Sequence, residues 1–175
     1  MMSLAALGAW EDRLLRQLAR CRGSLEDRDG ELTRSGLYAD YVALFGGYVD
    51  LAQAASSPDD RLEALKRAVF LAWYEGAEPA PLSGLAELPE LAVRRTLELL
   101  EERCRRDELD DELAWMLPWY HIIAEHSLLR LPGLRCLEAR VAALDPAAWE
   151  SACRPDSLLG RGAMGRYWAS LRRAA

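Results

Sequence analysis

Two pairs of side chains near the ends of two predicted helices could do chemistry together. Glu75 and Glu78 are three residues apart, and His121 and Glu125 are four apart, so each pair lies on one face of its helix. If the two helices are parallel neighbours, their C-terminal ends bring all four side chains together. Two or three carboxylates with an imidazole can bind a divalent metal or transfer protons. A solvated or salt-bridged helix end is the alternative that we favour, because acidic side chains usually stay exposed.

Residues 160–165 have the spacing G-x-G-x-x-G, which in dinucleotide-binding folds brings a pyrophosphate to a helix N-terminus. No strand is predicted before this motif, and only ten residues follow it, whereas a βαβ unit needs about 30 residues. The motif therefore predicts a turn and the start of a helix. The alternative is an anion held by backbone amides together with Arg161 or Arg166.

Aromatic side chains and acids on two neighbouring predicted helices are the candidate binding residues. Large indole and phenol rings fill a helical core well, and we expect Trp73, Trp115 and Trp119 to do so. The alternative is an aromatic-lined pocket or an interface, where Trp and Tyr are common anchors. The candidate binding set is Trp73, Tyr74, Trp115, Trp119, Tyr120, Glu108 and Asp111.

The four cysteines, Cys21, Cys104, Cys136 and Cys153, show no C-x-x-C or other metal-ligand spacing. Each lies in a helix-like run. We therefore expect four reduced, largely unreactive thiols in a reducing compartment, and no thiolate-bound metal. No cofactor is expected, with a divalent metal at Glu75, Glu78, His121 and Glu125 as the one alternative.

Charge is distributed unevenly along the 175 residues, whose formal net charge is −6. Residues 87–126 contain eleven acids and five arginines, whereas residues 154–175 contain five arginines and one aspartate. General binding to nucleic acid is disfavoured, because it needs Lys and Arg against phosphates. The pattern indicates an acidic recognition face for a partner with a basic or neutral surface, or alternatively solvated helix faces with internal ion pairs.

Residues 1–10 lack the basic start of a secretory signal, so we expect a cytoplasmic protein. The longest stretch without Asp, Glu, Lys or Arg, residues 113–124, is much shorter than the roughly 20 apolar residues of a membrane helix. No membrane span is expected. The length fits a single domain over residues 1–175, with residues 154–175 as a candidate basic extension.

Apolar residues recur every three or four positions along most of the chain, which is the period of amphipathic helices. Ser57 followed by Pro58 predicts a sharp helix start, and Ser35 is a candidate cap for the helix after it. The adjacent glycines Gly46 and Gly47 predict a kink or a close helix crossing. The predicted helices cover about residues 10–23, 37–51, 58–78, 89–106, 108–125, 134–144, a short segment containing Trp149, and 164–171, with residues 27–35 and 80–88 as connectors.

The predicted helix over residues 108–125 is apolar on nearly all sides, Ile122 and Ile123 included, so we expect it to be central and bent by Pro118. No segment shows the alternation typical of strands. The sequence therefore predicts an all-α fold, a compact and imperfect bundle of about seven or eight helices. We expect the second and third predicted helices to form one antiparallel hairpin, and the fourth and fifth to form another. A two-unit solenoid is the alternative.

No motif dictates a reaction, so the expected function is non-enzymatic. We expect a protein-binding module, such as an adaptor, an inhibitor or an immunity-type protein, that uses the acidic face. One alternative is a small metal-dependent helical enzyme or ligand-binding protein that uses the Glu and His cluster. Another is a homo-oligomeric structural module, for instance a homodimer, whose apolar helices form the interface.

Overall fold

Every regular element in residues 2–142 and 160–173, which are the residues that the computed structural model describes, is an α-helix. The all-α prediction is confirmed. None of these helices is long and apolar enough to cross a membrane. The predicted segment with Trp149, the residue Cys153, and residues 154–159 and 174–175 of the candidate basic extension lie outside the described residues. The helices are α1 (Leu4–Leu18), α2 (Leu25–Ser35), α3 (Leu37–Ala54), α4 (Pro58–Ala77), α5 (Ala80–Ser83), α6 (Glu90–Arg105), α7 (Asp111–Leu128), α8 (Arg135–Ala142) and α9 (Gly162–Arg173).

Side-chain caps explain where the longer helices begin. The hydroxyl of Ser57 accepts a hydrogen bond from the Asp60 amide at 3.2 Å, and Pro58 occupies the first position of α4, as the sequence predicts. The carboxylate of Asp110 caps α7 by accepting from the Leu113 amide at 3.0 Å. These caps satisfy amides that have no partner within their own helix.

The prediction of a polar connector over residues 27–35 is wrong, because these residues form most of α2. Ser24 and Asp27 form a reciprocal capping box at its start, and Gly36 ends it in a left-handed conformation with φ +74°. Leu32 is its one buried residue, which is why apolar periodicity does not detect this helix. Ser35 does not cap α3 either, since its hydroxyl donates to the Leu32 carbonyl. The connector predicted over residues 80–88 also contains the short helix α5.

Helix α4 is the centre of the packing. It forms the predicted antiparallel hairpin with α3, and it also packs against α6, α7 and α9. The second predicted hairpin is not formed among these helices: α6 and α7 make little contact with each other, because each packs against α4 instead. Helix α1 covers α3, α8 covers α6 and α7, and α9 packs on α1. As predicted, α6 is amphipathic and buries one face; the residues of that face are Val93, Thr96, Leu97, Leu100, Glu101 and Cys104.

Helix α7 is central on one side only, which corrects the expectation of burial all round. Trp115 and Tyr120 are buried, but Ile122 is 58% exposed and Ile123 is 49% exposed. The break in the helix lies at Ala124, with φ −150° and ψ 71°, rather than at Pro118. Beyond this break the last turn of α7 comes against the end of α4.

The two adjacent glycines of α3 have different roles. A Cβ atom placed on Gly47 would lie 2.7 Å from Cδ2 of Leu7, a fully buried residue of α1. A Cβ placed on Gly46 would meet nothing within 4 Å. The predicted close crossing therefore exists, and it depends on Gly47 alone.

We expect opposite effects when alanine replaces each of these glycines. Gly46→Ala should stabilise the protein by about 0.5–1 kcal/mol, because alanine favours the helix and has room. Gly47→Ala should destabilise it by about 1–3 kcal/mol, because the methyl group displaces Leu7 from a packed crossing. Urea unfolding of the two variants measures the difference, and equal effects would contradict the crossing.

Candidate functional site

Of the side chains singled out for a metal site, Glu75 lies on α4, Glu78 directly follows that helix, and His121 and Glu125 lie on α7. The helices α4 and α7 are parallel neighbours, as the cluster requires. Lys66 meets Asp110 at the start of α7, and the rings of Trp73 and Tyr120 stack in the middle at 4.5 Å. At the end, a Cβ on Gly76 would lie 2.1 Å from the Ser127 hydroxyl oxygen. The end of α4 therefore contacts the last turn of α7, beyond His121.

The four residues Glu75, Glu78, His121 and Glu125 do not form the metal site that the sequence allows. In the described ranges no three His, Cys, Asp or Glu side chains are placed to share a metal ion. Glu75 is occupied elsewhere, because one oxygen accepts from the Leu88 amide at 2.6 Å and the other pairs with Arg130 at 3.4 Å. Glu125 is exposed, while Nδ1 of His121 is shielded from solvent and lacks a hydrogen-bond partner in the described structure.

The G-x-G-x-x-G motif forms a turn and the start of α9, as predicted. Gly160 and Gly162 both have left-handed backbones, with φ +75° and +61°. The amide of Ala163, in the first turn of α9, donates to Oε1 of Glu11 at 2.8 Å. The helix N-terminus therefore binds an anion, but that anion is a carboxylate of the protein's own first helix.

Glu11 is almost completely buried, with 1% of its surface exposed. Its Oε2 accepts from the hydroxyl of Tyr48 at 2.7 Å and lies 3.5 Å from Nη1 of Arg67. Burial raises the pKa of Glu11, and the hydrogen bonds from Ala163 and Tyr48 offset only part of that effect. A Cβ on Gly162 would lie 1.9 Å from Glu11 Oε2, so only glycine lets the backbone approach this closely.

Alternating acids and bases continue from Arg67 as one polar network. Arg67 donates to Glu63 at 2.7 Å, and Arg161 donates to Glu63 at 2.9 Å and to Glu112 at 2.8 Å. Lys66 then joins Glu112 to Asp110, with both distances 2.5 Å. The polar network comprises Glu11, Tyr48, Glu63, Lys66, Arg67, Asp110, Glu112 and Arg161.

The polar network links five parts of the fold: α1, α3, α4, α7 and the turn before α9. Burial alone would raise the pKa of Glu112, but hydrogen bonds from Arg161 and Lys66 outweigh it and hold that pKa below its usual value. Each carboxylate of the network already accepts from a cation or an amide. The arrangement therefore joins these five parts of the fold through ion pairs and hydrogen bonds.

The predicted aromatic binding residues form a packed cluster with α9. Trp73 is fully buried and donates through Nε1 to the Tyr120 carbonyl at 2.9 Å, and Trp115 lies 4.2 Å from Trp168 between ring centroids. The core prediction is confirmed for Trp73 and Trp115. Trp119 is half-buried and donates to the Tyr167 hydroxyl at 2.7 Å. Tyr74 is also half-buried.

Several acids of residues 87–126 serve the fold rather than a surface. Glu101 is buried and accepts from the amides of Cys136 and Leu137 at the start of α8, at 3.1 and 2.9 Å. On α6, the acids Glu90, Glu98 and Glu102 pair with arginines one turn away. Of the two acids of the candidate binding set, Glu108 is exposed in the turn before α7 and Asp111 is exposed at the start of α7.

Cys104 and Cys136 are neighbours in space although 32 residues separate them. Their sulfur atoms lie 2.7 Å apart, and both thiols are free, as is Cys21. Burial raises the pKa of Cys104 to about 12, helped by its hydrogen bond to Cys136, so this thiol is a poor nucleophile. A cavity of about 300 Å³ lined by Cys104, Cys136 and Arg140 gives access to the pair.

Comparison with known proteins identifies no relative: no family model, curated protein or solved structure matches the chain.

We expect oxidised glutathione to convert Cys104 and Cys136 into a disulfide between α6 and α8, because their sulfur atoms are adjacent. The reaction should be slow, since the raised pKa of Cys104 leaves little of its thiol deprotonated. Two protein thiols lose their hydrogens, and one glutathione disulfide becomes two glutathione thiols. Cross-linked peptides identified by mass spectrometry measure the product, and the bond should add about 3 kcal/mol to the free energy of unfolding.

Cys21→Ser is the matched control and should leave this oxidation unchanged, whereas Cys136→Ser should abolish it. Failure of the wild-type protein to form the 104–136 link, or equal linkage through Cys21, would contradict the sulfur geometry.

Proposed function

We propose that this chain is a non-enzymatic protein-binding module and that a partner docks on the outer side of α7. The α7 surface consists of Glu108, Asp111, Trp119, Ile122 and Ile123. The observation that carries the proposal is the pair of adjacent isoleucines, which are 58% and 49% exposed on the helix that the sequence predicts to be buried. Exposed apolar residues that cluster at one place commonly mark an interaction site.

Trp119 adds an aromatic anchor to the α7 surface. It precedes Ile122 by three residues and Ile123 by four, so all three share one side of the helix. Tryptophan contributes large contact area and is enriched among the residues that dominate binding energy. Its hydrogen bond to Tyr167 fixes the indole ring, which reduces the conformational entropy lost when a partner binds.

Charge favours a basic partner. Glu108 and Asp111 are exposed at the start of α7, and Glu125 is exposed one turn after Ile122. Unlike the acids of α6, none of the three forms an ion pair with a described residue. The occupant that fits is a segment of another protein with apolar residues at its centre and Lys or Arg at its edges.

Paired variants test the docking surface. One double variant, Ile122→Asp with Ile123→Asp, removes the apolar centre of the α7 surface. The control double variant, Leu82→Asp with Leu91→Asp, makes the same change at two exposed leucines on α5 and α6. Proteins captured from source cells and then purified should bind the wild type and the leucine variant equally. The isoleucine variant should bind about tenfold or more weakly, because it loses apolar burial and adds like charge to an acidic surface. Calorimetry measures these affinities.

Salt dependence tests the charge complementarity. Asp111→Lys should slow association with the same partner, and added salt should narrow the difference from wild type. Unchanged affinity in the isoleucine variant would contradict the proposal. Concentration-dependent self-association that this variant abolishes would also contradict it, because the occupant would then be a second copy of the chain.

A further inference from the structure

A cavity of about 390 Å³ lies between α6 and the α3–α4 hairpin, and Glu108, which precedes α7, forms part of its wall. Its wall is mostly polar and contains four arginines against two glutamates, a formal net charge of +2 in a chain whose net charge is −6. Gln53 and two leucines complete the principal lining. The arginines are Arg61, Arg95, Arg103 and Arg106, and the glutamates are Glu102 and Glu108.

Two of the four guanidinium groups already have carboxylate partners. Arg106 pairs with Glu102 at 2.5 Å, and Arg95 pairs with Glu98 at 3.6 Å. Arg61 and Arg103 form no side-chain ion pair with any residue of the described segments. The Nε of Arg61 is also shielded from solvent and has no hydrogen-bond acceptor in the described structure.

A shielded guanidinium N–H without an acceptor is costly, because it has lost water and gained no partner. Like charge on the same wall adds repulsion that a bound anion would remove. The cavity therefore has donors and positive charge in excess and lacks the acceptor that would satisfy them.

We propose that this cavity binds the phosphate or pyrophosphate group of a small molecule. The planar fork of guanidinium donors matches the oxygens of a phosphate, which can accept two hydrogen bonds from one arginine. The volume falls within the range of small-molecule sites, which is about 300–1,000 Å³. Leu65 and Leu99 provide an apolar wall against which the rest of such a molecule packs. This inference does not depend on the protein-binding function proposed for α7, although Glu108 belongs both to the cavity wall and to the α7 surface.

Pyrophosphate is the probe for this site. Calorimetry and thermal unfolding are measured with increasing sodium pyrophosphate, and with sodium chloride at matched ionic strength. Saturable binding of pyrophosphate with a rise in Tm is expected, because a ligand that binds only the folded state stabilises it. Sodium chloride should give no saturable effect.

Three single variants make the test specific. Arg103→Gln and Arg61→Gln should each weaken pyrophosphate binding about tenfold or more, because each removes charge-assisted hydrogen bonds. Arg94→Gln is the matched control, since Arg94 lies on α6, is exposed and is absent from the cavity wall. It should bind as the wild type does. Without ligand, Arg103→Gln should retain the wild-type Tm, so this variant remains informative if Arg61→Gln fails to fold.

Absence of a saturable pyrophosphate effect in the wild-type protein would overturn the proposal. Equal loss of binding in Arg94→Gln and Arg103→Gln would overturn it as well, because the anion would then bind diffusely to surface arginines. Loss of binding confined to the two cavity variants supports it.

Discussion

The buried carboxylate of Glu11 is the constraint on which the arrangement of helices depends. An isolated charge in the interior costs several kcal/mol, because burial removes the water that would solvate it. Its partners come from three other elements: the Tyr48 hydroxyl on α3, the Arg67 guanidinium on α4 and the Ala163 amide at the start of α9. All three partners must surround the carboxylate at once to offset the cost of burying it. The buried charge therefore specifies how α1, α3, α4 and α9 assemble.

From Arg67 the polar network extends through Glu63, Arg161 and Glu112 to the start of α7. Glu11 binds the N-terminus of α9, and the same helix carries Trp168 and Tyr167. Trp168 packs against Trp115 and Tyr120, and the hydroxyl of Tyr167 accepts a hydrogen bond from Trp119. Trp115 and Tyr120 on the inner side of α7 are thereby buried, and the indole of Trp119 on the α7 surface is held by its hydrogen bond to Tyr167. The outer side of α7 leaves Ile122 and Ile123 exposed. For the docking that we propose there, a surface supported in this way requires little reorganisation.

Local signals in the sequence predict most of the fold, but contacts between distant segments are not encoded locally. Caps and apolar periodicity locate the ends of α4 and α6 within a few residues. Helix α2 has a single buried leucine, so apolar spacing does not detect it. Glu11 lies four residues after Leu7 and three before Leu14, so a charge on the apolar face of α1 is a signal that was present in the sequence. The partner of Glu11 at Ala163 is 152 residues away in the sequence, and Cys104 is 32 residues from Cys136. Neither of these two pairs has a spacing that a sequence motif would reveal. The exposure of Ile122 and Ile123 depends on which helices cover α7, which periodicity does not specify.

Amide hydrogen exchange at α9 tests most directly whether Glu11 holds that helix in place. In the wild-type protein, the amides of Ala163 and the rest of α9 should exchange with the same free energy of opening as those of α4, because both open only in global unfolding. In Glu11→Ala, α9 should open at a lower free energy than α4, while Glu26→Ala, which changes an exposed acid of α2, should preserve the wild-type pattern. Early opening of α9 in the wild type, or unchanged relative protection in Glu11→Ala, would contradict the role assigned to this carboxylate.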